Sequence, residues 1–207
     1  MDVEEIRCFQ HCERDQNILC FSIPHQCPVC GHDTRTTQLR IPPYVIQSPF
    51  TDAQCTQCSI VIKPTVGHFL HEFTDKSNLH IGLTDSQGTV YEYDERGVTV
   101  GDTTWNYCLR VILHSVDGVT SPDWDRILKH CVNERLWKQE YYDESLHNCF
   151  DFVLFCLRKM GLDRDIPCLI DRSLFCQQLI IPETIKAGKY ISLYREIVKN
   201  GLVVQKV

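Results

Sequence analysis

The chain has 207 residues, 43% of them hydrophobic and 23% charged, a balance that fits a globular protein with one core and a small additional module. Its net charge of −6 argues against a nucleic-acid binder, because such proteins present a broad basic surface. No apolar run is long enough to span a membrane, and residues 1–5 are acidic rather than signal-like. We therefore expect a cytoplasmic or nuclear protein whose substrate or partner is another protein.

Cysteine is unusually frequent, with thirteen residues in the chain. A disulfide framework fits this number poorly, because the number is odd and the expected compartment is reducing. Metal ligation and buried free thiols fit it better.

Two Cys-x-x-Cys pairs lie in the cysteine-rich segment 1–66, separated by 24 residues. Such paired spacing is typical of a zinc ribbon, because each short turn directs two thiolates at one ion. Four thiolates close a tetrahedral site, so the predicted zinc is structural. The predicted ligands are Cys27, Cys30, Cys55 and Cys58. The alternative is four unligated cysteines in a loop-rich segment.

A weaker group of ligand-type residues precedes these pairs. It consists of Cys8, His11, Cys12 and Cys20. Their spacings match no standard zinc knuckle, and cysteine is commonly buried, so core positions are favoured over a second metal site. The second site is kept as an alternative.

A β-hairpin is predicted over residues 79–93, because β-branched and aromatic residues surround a polar turn that ends at Gly88. Side chains alternate between the two faces of a strand, so pairing through this turn brings His80 and Glu92 close together. A carboxylate beside an imidazole orients the ring and favours its protonated form. His80 is thus a candidate catalytic base and Glu92 its orienting group.

Helices are predicted after residue 120. Ser-Pro at positions 121 and 122 indicates a helix start, and this helix is expected to continue to about residue 139. Two further helices are predicted over residues 171–179 and 185–200. Strands come first and helices later, which predicts the α+β class.

The apolar segment 149–161 gives the clearest helix signal in the chain. Asn148 is a good N-cap, Asp151 completes a capping box, and Gly161 can close the last turn. Apolar residues cover nearly all sides of this helix, so it should lie in the middle of the fold. Cys149 occupies its first turn, where backbone N–H groups and the helix dipole stabilise a thiolate. Cys149 is therefore the candidate nucleophile.

Each candidate catalytic residue also has a structural interpretation. Cys149 could be a buried cysteine, and Glu92 a solvated strand residue. His147, beside the nucleophile, is an alternative base or oxyanion donor, although loop histidines more often face solvent.

The chain resembles the circularly permuted papain-like thiol enzymes in three features. These are a histidine on a strand, His80, a polar residue on the next strand, Glu92, and a later Asn-Cys that opens an apolar helix. This resemblance spans about residues 68–162 and includes NlpC-type proteins with their PPPDE peptidase and lecithin:retinol acyltransferase-like branches. It implies an antiparallel sheet packed on helices around the Cys149 helix. Glu92 departs from the second histidine that is usual in the acyltransferase-like branch. The implied organisation is a zinc-ribbon-like module at 1–66 followed by a permuted papain-like domain at 67–207.

A second resemblance covers nearly the whole chain and is to the makorin-2 opposite-strand protein family. The segments that carry it are residues 20–24, 27–31, 79–84, 147–149 and 191–195. It implies an architecture and no particular activity.

Two main functional hypotheses follow. The first is a cysteine hydrolase or acyl or peptidyl transferase that acts on an amide, isopeptide or ester through Cys149, His80 and Glu92. The second is a catalytically silent, zinc-containing protein-interaction module. Nucleic-acid binding through the zinc ribbon is least favoured, because of the negative net charge.

Overall fold

The structure is a computed structural model that describes residues 4–113 and 119–206. These residues form an α+β protein with antiparallel sheets, as the order of predicted elements indicated. The strands are β1 (Arg7–Gln10), β2 (Gln16–Cys20), β3 (Ile41–Val45), β4 (Phe50–Thr51), β5 (Ile60–Pro64), β6 (Leu79–Thr84), β7 (Val90–Asp94), β8 (Gly97–Val100), β9 (Cys108–Val111) and β10 (Leu202–Lys206). The α-helices are α1 (Ser121–Cys131), α2 (Cys149–Lys159), α3 (Arg172–Phe175) and α4 (Ile181–Asn200).

Two compact units make up the chain. The first unit is Met1–Ser48 with Gly188–Val207, and the second unit is Pro49–Ala187. The predicted domains, residues 1–66 and 67–207, are segments expected to fold independently of each other. The two compact units describe how the folded chain packs and do not test independent folding, so the predicted boundary stays a prediction.

The first unit contains a four-stranded sheet in the order β10-β2-β1-β3. Every neighbouring pair is antiparallel, and the register of β1 and β2 places Cys8 opposite Leu19. A small core of buried residues lies beneath it, namely Phe9, Ile18, Cys20 and Cys27. Strand β10 was not predicted, because its five half-buried or exposed residues lack the alternation of a strand with one buried face.

The second unit contains a six-stranded antiparallel sheet in the order β4-β9-β5-β6-β7-β8. The predicted hairpin is confirmed as β6 and β7, whose register pairs Gly82 with Glu92 and Thr84 with Val90. Helix α2 packs against both of these strands and against α1. This packing brings the N-terminus of α2 to the hairpin that carries the candidate base.

Helix α1 starts at Ser121 as predicted, with the Thr120 side chain as its N-cap, but it ends at Cys131 rather than near residue 139. The Asn133 side-chain amide donates to the Lys129 carbonyl oxygen at 2.7 Å, which occupies an acceptor that a continuing helix needs. Trp137 then lies in a short 3₁₀ turn, Arg135–Trp137, and is buried.

The two predicted helices near the C-terminus form one continuous helical segment. Helix α3 leads through a π-helical turn, Cys176–Ile180, directly into α4. Gly201, with a φ of +81°, ends α4 in the left-handed conformation. Among the helices of the described residues, none is both long and apolar enough to cross a membrane.

Candidate functional site

The N-terminus of α2 is held by a capping box, as the sequence predicted. The Asn148 side-chain oxygen accepts from the Phe150 N–H at 3.0 Å, and the Asp151 carboxylate accepts from the Asn148 N–H at 3.0 Å. The Asn148 amide nitrogen donates to the Glu144 carbonyl oxygen, so both ends of this amide are used. These bonds fix Cys149 as the first residue of the helix. Only 4% of the surface of Cys149 is exposed.

The candidate base and its carboxylate lie on neighbouring strands and form a direct bond. His80 Nε2 lies 2.7 Å from Glu92 Oε2, and both side chains are buried. The register places Glu92 opposite Gly82, on the face that His80 shares. A β-carbon at Gly82 would lie 3.0 Å from the Tyr91 carbonyl oxygen and 3.4 Å from the Trp105 ring, whose centroid is 5.6 Å from that of His80. The missing side chain at Gly82 therefore lets the backbone of β7 approach closely beside the His80–Glu92 pair.

His80 also interacts with Cys149. Burial disfavours the charged ring, but side-chain interactions with Cys149 and Glu92, and the negative charges of both groups, outweigh it and raise the pKa of His80 to about 9. The imidazole therefore favours its protonated form in this environment. The structure brings Cys149, His80 and Glu92 together, and their catalytic role stays a prediction.

These three residues line one cleft, with a cavity volume of about 520 Å³. Tyr142 and Arg172 are among the residues of its wall that sequence reasoning did not single out. The guanidinium of Arg172 lies 3.3 Å from the Asp151 carboxylate and 3.1 Å from the Ser145 carbonyl oxygen, and so connects the loop before α2 to its first turn. The cleft wall is largely polar.

Tyr142 is another residue of the cleft wall that the sequence analysis did not name. Burial and, after it, the negative charge of Cys149 and nearby carboxylates raise the pKa of Tyr142 to about 12. Its phenol therefore stays protonated across the neutral range and can donate a hydrogen bond. The one available sequence signal for Tyr142 was its position beside the polar loop that precedes the Cys149 helix.

His147, the alternative base, has other partners. Its Nε2 donates to the Leu136 carbonyl oxygen at 2.9 Å, and its ring stacks on Trp137 with centroids 4.6 Å apart and planes 5° apart. A carbonyl oxygen only accepts, so this nitrogen carries the proton. These contacts favour a structural role for His147.

A separate group of ligand-type side chains lies in the first unit. The ligand atoms of His11, Cys12, Cys27 and Cys30 all lie within 4.8 Å of one another and could hold a metal ion. The Cys12 and Cys27 sulfurs are 4.0 Å apart, and the Cys30 sulfur is 3.2 Å from His11 Nδ1. Two of the four predicted zinc ligands are therefore grouped with two residues of the weaker alternative set.

The other predicted ligands lie in the second unit. Cys55 is exposed at the end of a 3₁₀ turn, Ala53–Cys55. Cys58 has a left-handed backbone with φ of 46°, and its N–H donates to the Asp85 carbonyl oxygen at 3.1 Å. Binding of one ion by both Cys-x-x-Cys pairs stays a prediction. Cys8 and Cys20 are buried strand residues.

The described residues thus define an α+β protein with a cysteine, a histidine and a glutamate grouped at a helix N-terminus, and a separate cluster of cysteine and histidine. A family model described as DUF4796 C-terminal matches residues 43–197, and one described as DUF4796 N-terminal matches residues 5–33. The chain therefore belongs to the DUF4796 family.

One relative is the MKRN2 opposite strand protein of Homo sapiens. It is 32% identical to this chain over 198 residues, which are 95% of this chain and 87% of that protein. The resemblance to the makorin-2 opposite-strand family that the sequence motifs indicated is thereby confirmed. No solved structure matches the chain.

Proposed function

We propose that the protein is a cysteine hydrolase or an acyl or peptidyl transferase, with Cys149 as nucleophile, His80 as base and Glu92 as the residue that positions His80. The observation that carries this proposal is that the His80 ring interacts with both Glu92 and Cys149. Its Nε2 bonds to Glu92 at 2.7 Å while the ring also interacts with Cys149. This is the nucleophile–base–orienter arrangement of thiol enzymes.

The proposed reaction starts with transfer of the Cys149 proton to His80. Because Nε2 is bonded to Glu92, Nδ1 is the ring nitrogen that remains to receive it. The thiolate attacks the carbonyl carbon of an amide or ester, and the imidazolium then donates its proton to the departing nitrogen or oxygen. A thioester remains on Cys149. Water, or an acceptor amine or alcohol, then gives its proton to His80 as it attacks the thioester carbonyl, the carbon–sulfur bond breaks, the acid, amide or ester product leaves, and the Cys149 sulfur takes the proton back from His80.

The negative oxygen of each tetrahedral intermediate needs hydrogen-bond donors. The Cys149 N–H is one, because the first N–H groups of a helix have no acceptor within that helix. The protonated phenol of Tyr142, in the same cleft, is the second proposed donor.

A permuted papain-like fold of the second unit is part of this proposal. In support, the strand of His80 precedes the helix of Cys149 in the chain, and α2 packs on β6 and β7. The proposed substrate is an amide, isopeptide or ester carried by a protein. A reducing compartment, cytosol or nucleus, suits a chain whose thirteen cysteines form no disulfide.

Alkylation with iodoacetamide tests the proposed nucleophile in the wild-type chain. We expect Cys149, near pH 6.5, to react at least about tenfold faster than the exposed Cys55, because a thiolate reacts and a thiol does not. His80→Asn should remove this advantage. A wild-type Cys149 that reacts more slowly than Cys55 would contradict the proposal.

A zinc-containing protein-interaction module is the second candidate function, and the ligand cluster of the first unit favours it. Thiolate and imidazole ligands suit zinc, and in this function the metal is structural. Cys149→Ala discriminates between the two functions. If the variant keeps partner binding and its cellular effect at wild-type levels, the module is supported over the enzyme.

A further inference from the structure

We infer that one zinc ion is bound by His11, Cys12, Cys27 and Cys30 as a closed Cys₃His site, and that Cys55 and Cys58 take no part in it. This inference rests on the proposed presence of structural zinc. It differs from the four-cysteine ribbon that the sequence spacing predicted, and it is independent of the chemistry at Cys149.

The distances within the cluster suit a tetrahedral ion. Zinc–sulfur bonds of about 2.3 Å and zinc–nitrogen bonds of about 2.0–2.1 Å put two sulfurs about 3.8 Å apart, and a sulfur and a nitrogen about 3.5 Å apart. The corresponding distances here are 4.0 Å between Cys12 and Cys27, and 3.2 Å between Cys30 and His11 Nδ1. Only shifts of a few tenths of an ångström separate these two edges from that geometry.

Hydrogen bonds behind His11 set its tautomer in the form that a metal requires. The Thr37 hydroxyl donates its proton to the Asp33 carbonyl oxygen, which can only accept. Thr37 Oγ1 must then accept from His11 Nε2, 2.6 Å away, so that Nε2 carries the ring proton. Nδ1 is left with its lone pair directed at the cluster. A partner on the second ring nitrogen is the usual arrangement behind a metal-binding histidine.

The backbone around Cys27 and Cys30 forms the turn that a zinc-binding Cys-x-x-Cys pair needs. The Gly31 N–H donates to the Cys27 carbonyl oxygen at 2.9 Å, and Gly31 has a φ of +78°. The Val29 N–H points to the Cys27 sulfur at 3.4 Å, a contact that stabilises a thiolate. This turn presents both sulfurs on one side.

The position of the ligands in the chain gives the ion a structural task. His11 and Cys12 directly follow β1, in its connection to β2, whereas Cys27 and Cys30 follow β2. A shared ion would join the β1–β2 connection to the Cys27–Gly31 turn. Four protein ligands leave no position for water or substrate, and the three thiols lose their protons on binding. A small unit gains folding free energy from such a cross-link.

Cys30 and Cys55 form a matched pair for the test, because both are exposed and each belongs to one Cys-x-x-Cys pair. The full-length chain is purified without chelator, its zinc is measured by mass spectrometry, and alkylation of each cysteine is followed with and without a chelator. We expect about one zinc per chain, and alkylation of Cys30 at least about tenfold slower than that of Cys55 until the chelator is added.

Each other result has a distinct meaning. If zinc is present and Cys55 is protected together with Cys30, the ligand set is overturned while the proposed zinc stands. If the chain contains no zinc, both are overturned. Cys12→Ser should lose the metal, and Cys58→Ser should keep it. His11→Cys should keep it with stronger thiolate-to-metal absorption after cobalt substitution, which a purely structural role for His11 does not predict.

Discussion

Glu92 reaches His80 diagonally across the hairpin, because the register places Glu92 opposite Gly82 and not opposite His80. The 2.7 Å bond between Oε2 and Nε2 therefore depends on two long side chains that lean toward each other over a glycine. A charged pair in this position controls how readily the ring holds a proton.

Replacement of that carboxylate should change the titration of the ring. We predict that Glu92→Gln lowers the pKa of His80 from about 9 by at least about one unit, which corresponds to about 1.4 kcal/mol. The amide can still accept from Nε2, so geometry is retained while the charge is lost. Ring-proton NMR across pH measures this. Glu95→Gln is the control, because Glu95 lines the same cleft. An unchanged His80 titration in Glu92→Gln would contradict the assignment.

Stability should depend on pH through the same histidine. Its pKa rises from 6.5 in the unfolded chain to about 9 in the folded one, so its contribution is complete below pH 6.5 and is lost as pH rises through about 9. We predict that the unfolding free energy of wild type relative to His80→Asn falls by on the order of 2–3 kcal/mol between pH 6 and 10.

Tryptophan fluorescence during guanidinium unfolding measures this difference in the second unit, since all three tryptophans lie there, at positions 105, 124 and 137. A difference that stays constant over this range, or that grows with pH, would show that His80 is not stabilised in its charged form.

The proposed oxyanion donor makes a separate prediction. Tyr142→Phe should lower the turnover of an amide or ester substrate by about 10²-fold, with little change in KM, because the hydrogen bond strengthens only when the oxygen becomes negative. Tyr141→Phe is the matched control, since this neighbouring side chain is exposed. Equal turnover in the two variants would remove Tyr142 from the mechanism.

Zinc affinity should depend on a residue that does not touch the ion. Thr37→Val removes the acceptor for His11 Nε2 and should weaken zinc binding by about 10–100-fold. Thr36→Val changes the adjacent, exposed threonine and should leave it unaffected. Competition with a chromophoric chelator gives both dissociation constants. Similar constants for the two variants would argue against His11 as a ligand.

Local signals in the sequence were enough to predict the elements of the candidate active site. The Asn148 cap, the Asp151 capping box and Gly161 predicted α2 almost to the residue, because caps act within one helical turn. Alternation along the hairpin predicted that His80 and Glu92 would meet, since strand periodicity and a short turn together determine which side chains are neighbours.

The sequence analysis placed Cys149 beside His80, but it did not predict the other residues that tertiary structure brings together. Arg172 belongs to a helix that follows α2 along the chain, and nothing near it in the sequence indicates the cleft. The same holds for the grouping of His11 with Cys30. Strand β2 lies between these two residues in the chain, so their separation in sequence resembles no compact zinc motif.

The first unit is built from two segments that are far apart in the chain, and this affects the order in which its strands can pair during synthesis. Its sheet takes β1, β2 and β3 from residues 7–45, but β10, which pairs with β2 along Leu202–Lys206, is translated only after the whole of the second unit. The residues of the second unit are translated in one continuous stretch between them. During translation the β2 edge therefore stays unpaired until β10 has been made, and an unpaired strand edge is a site at which another chain can pair.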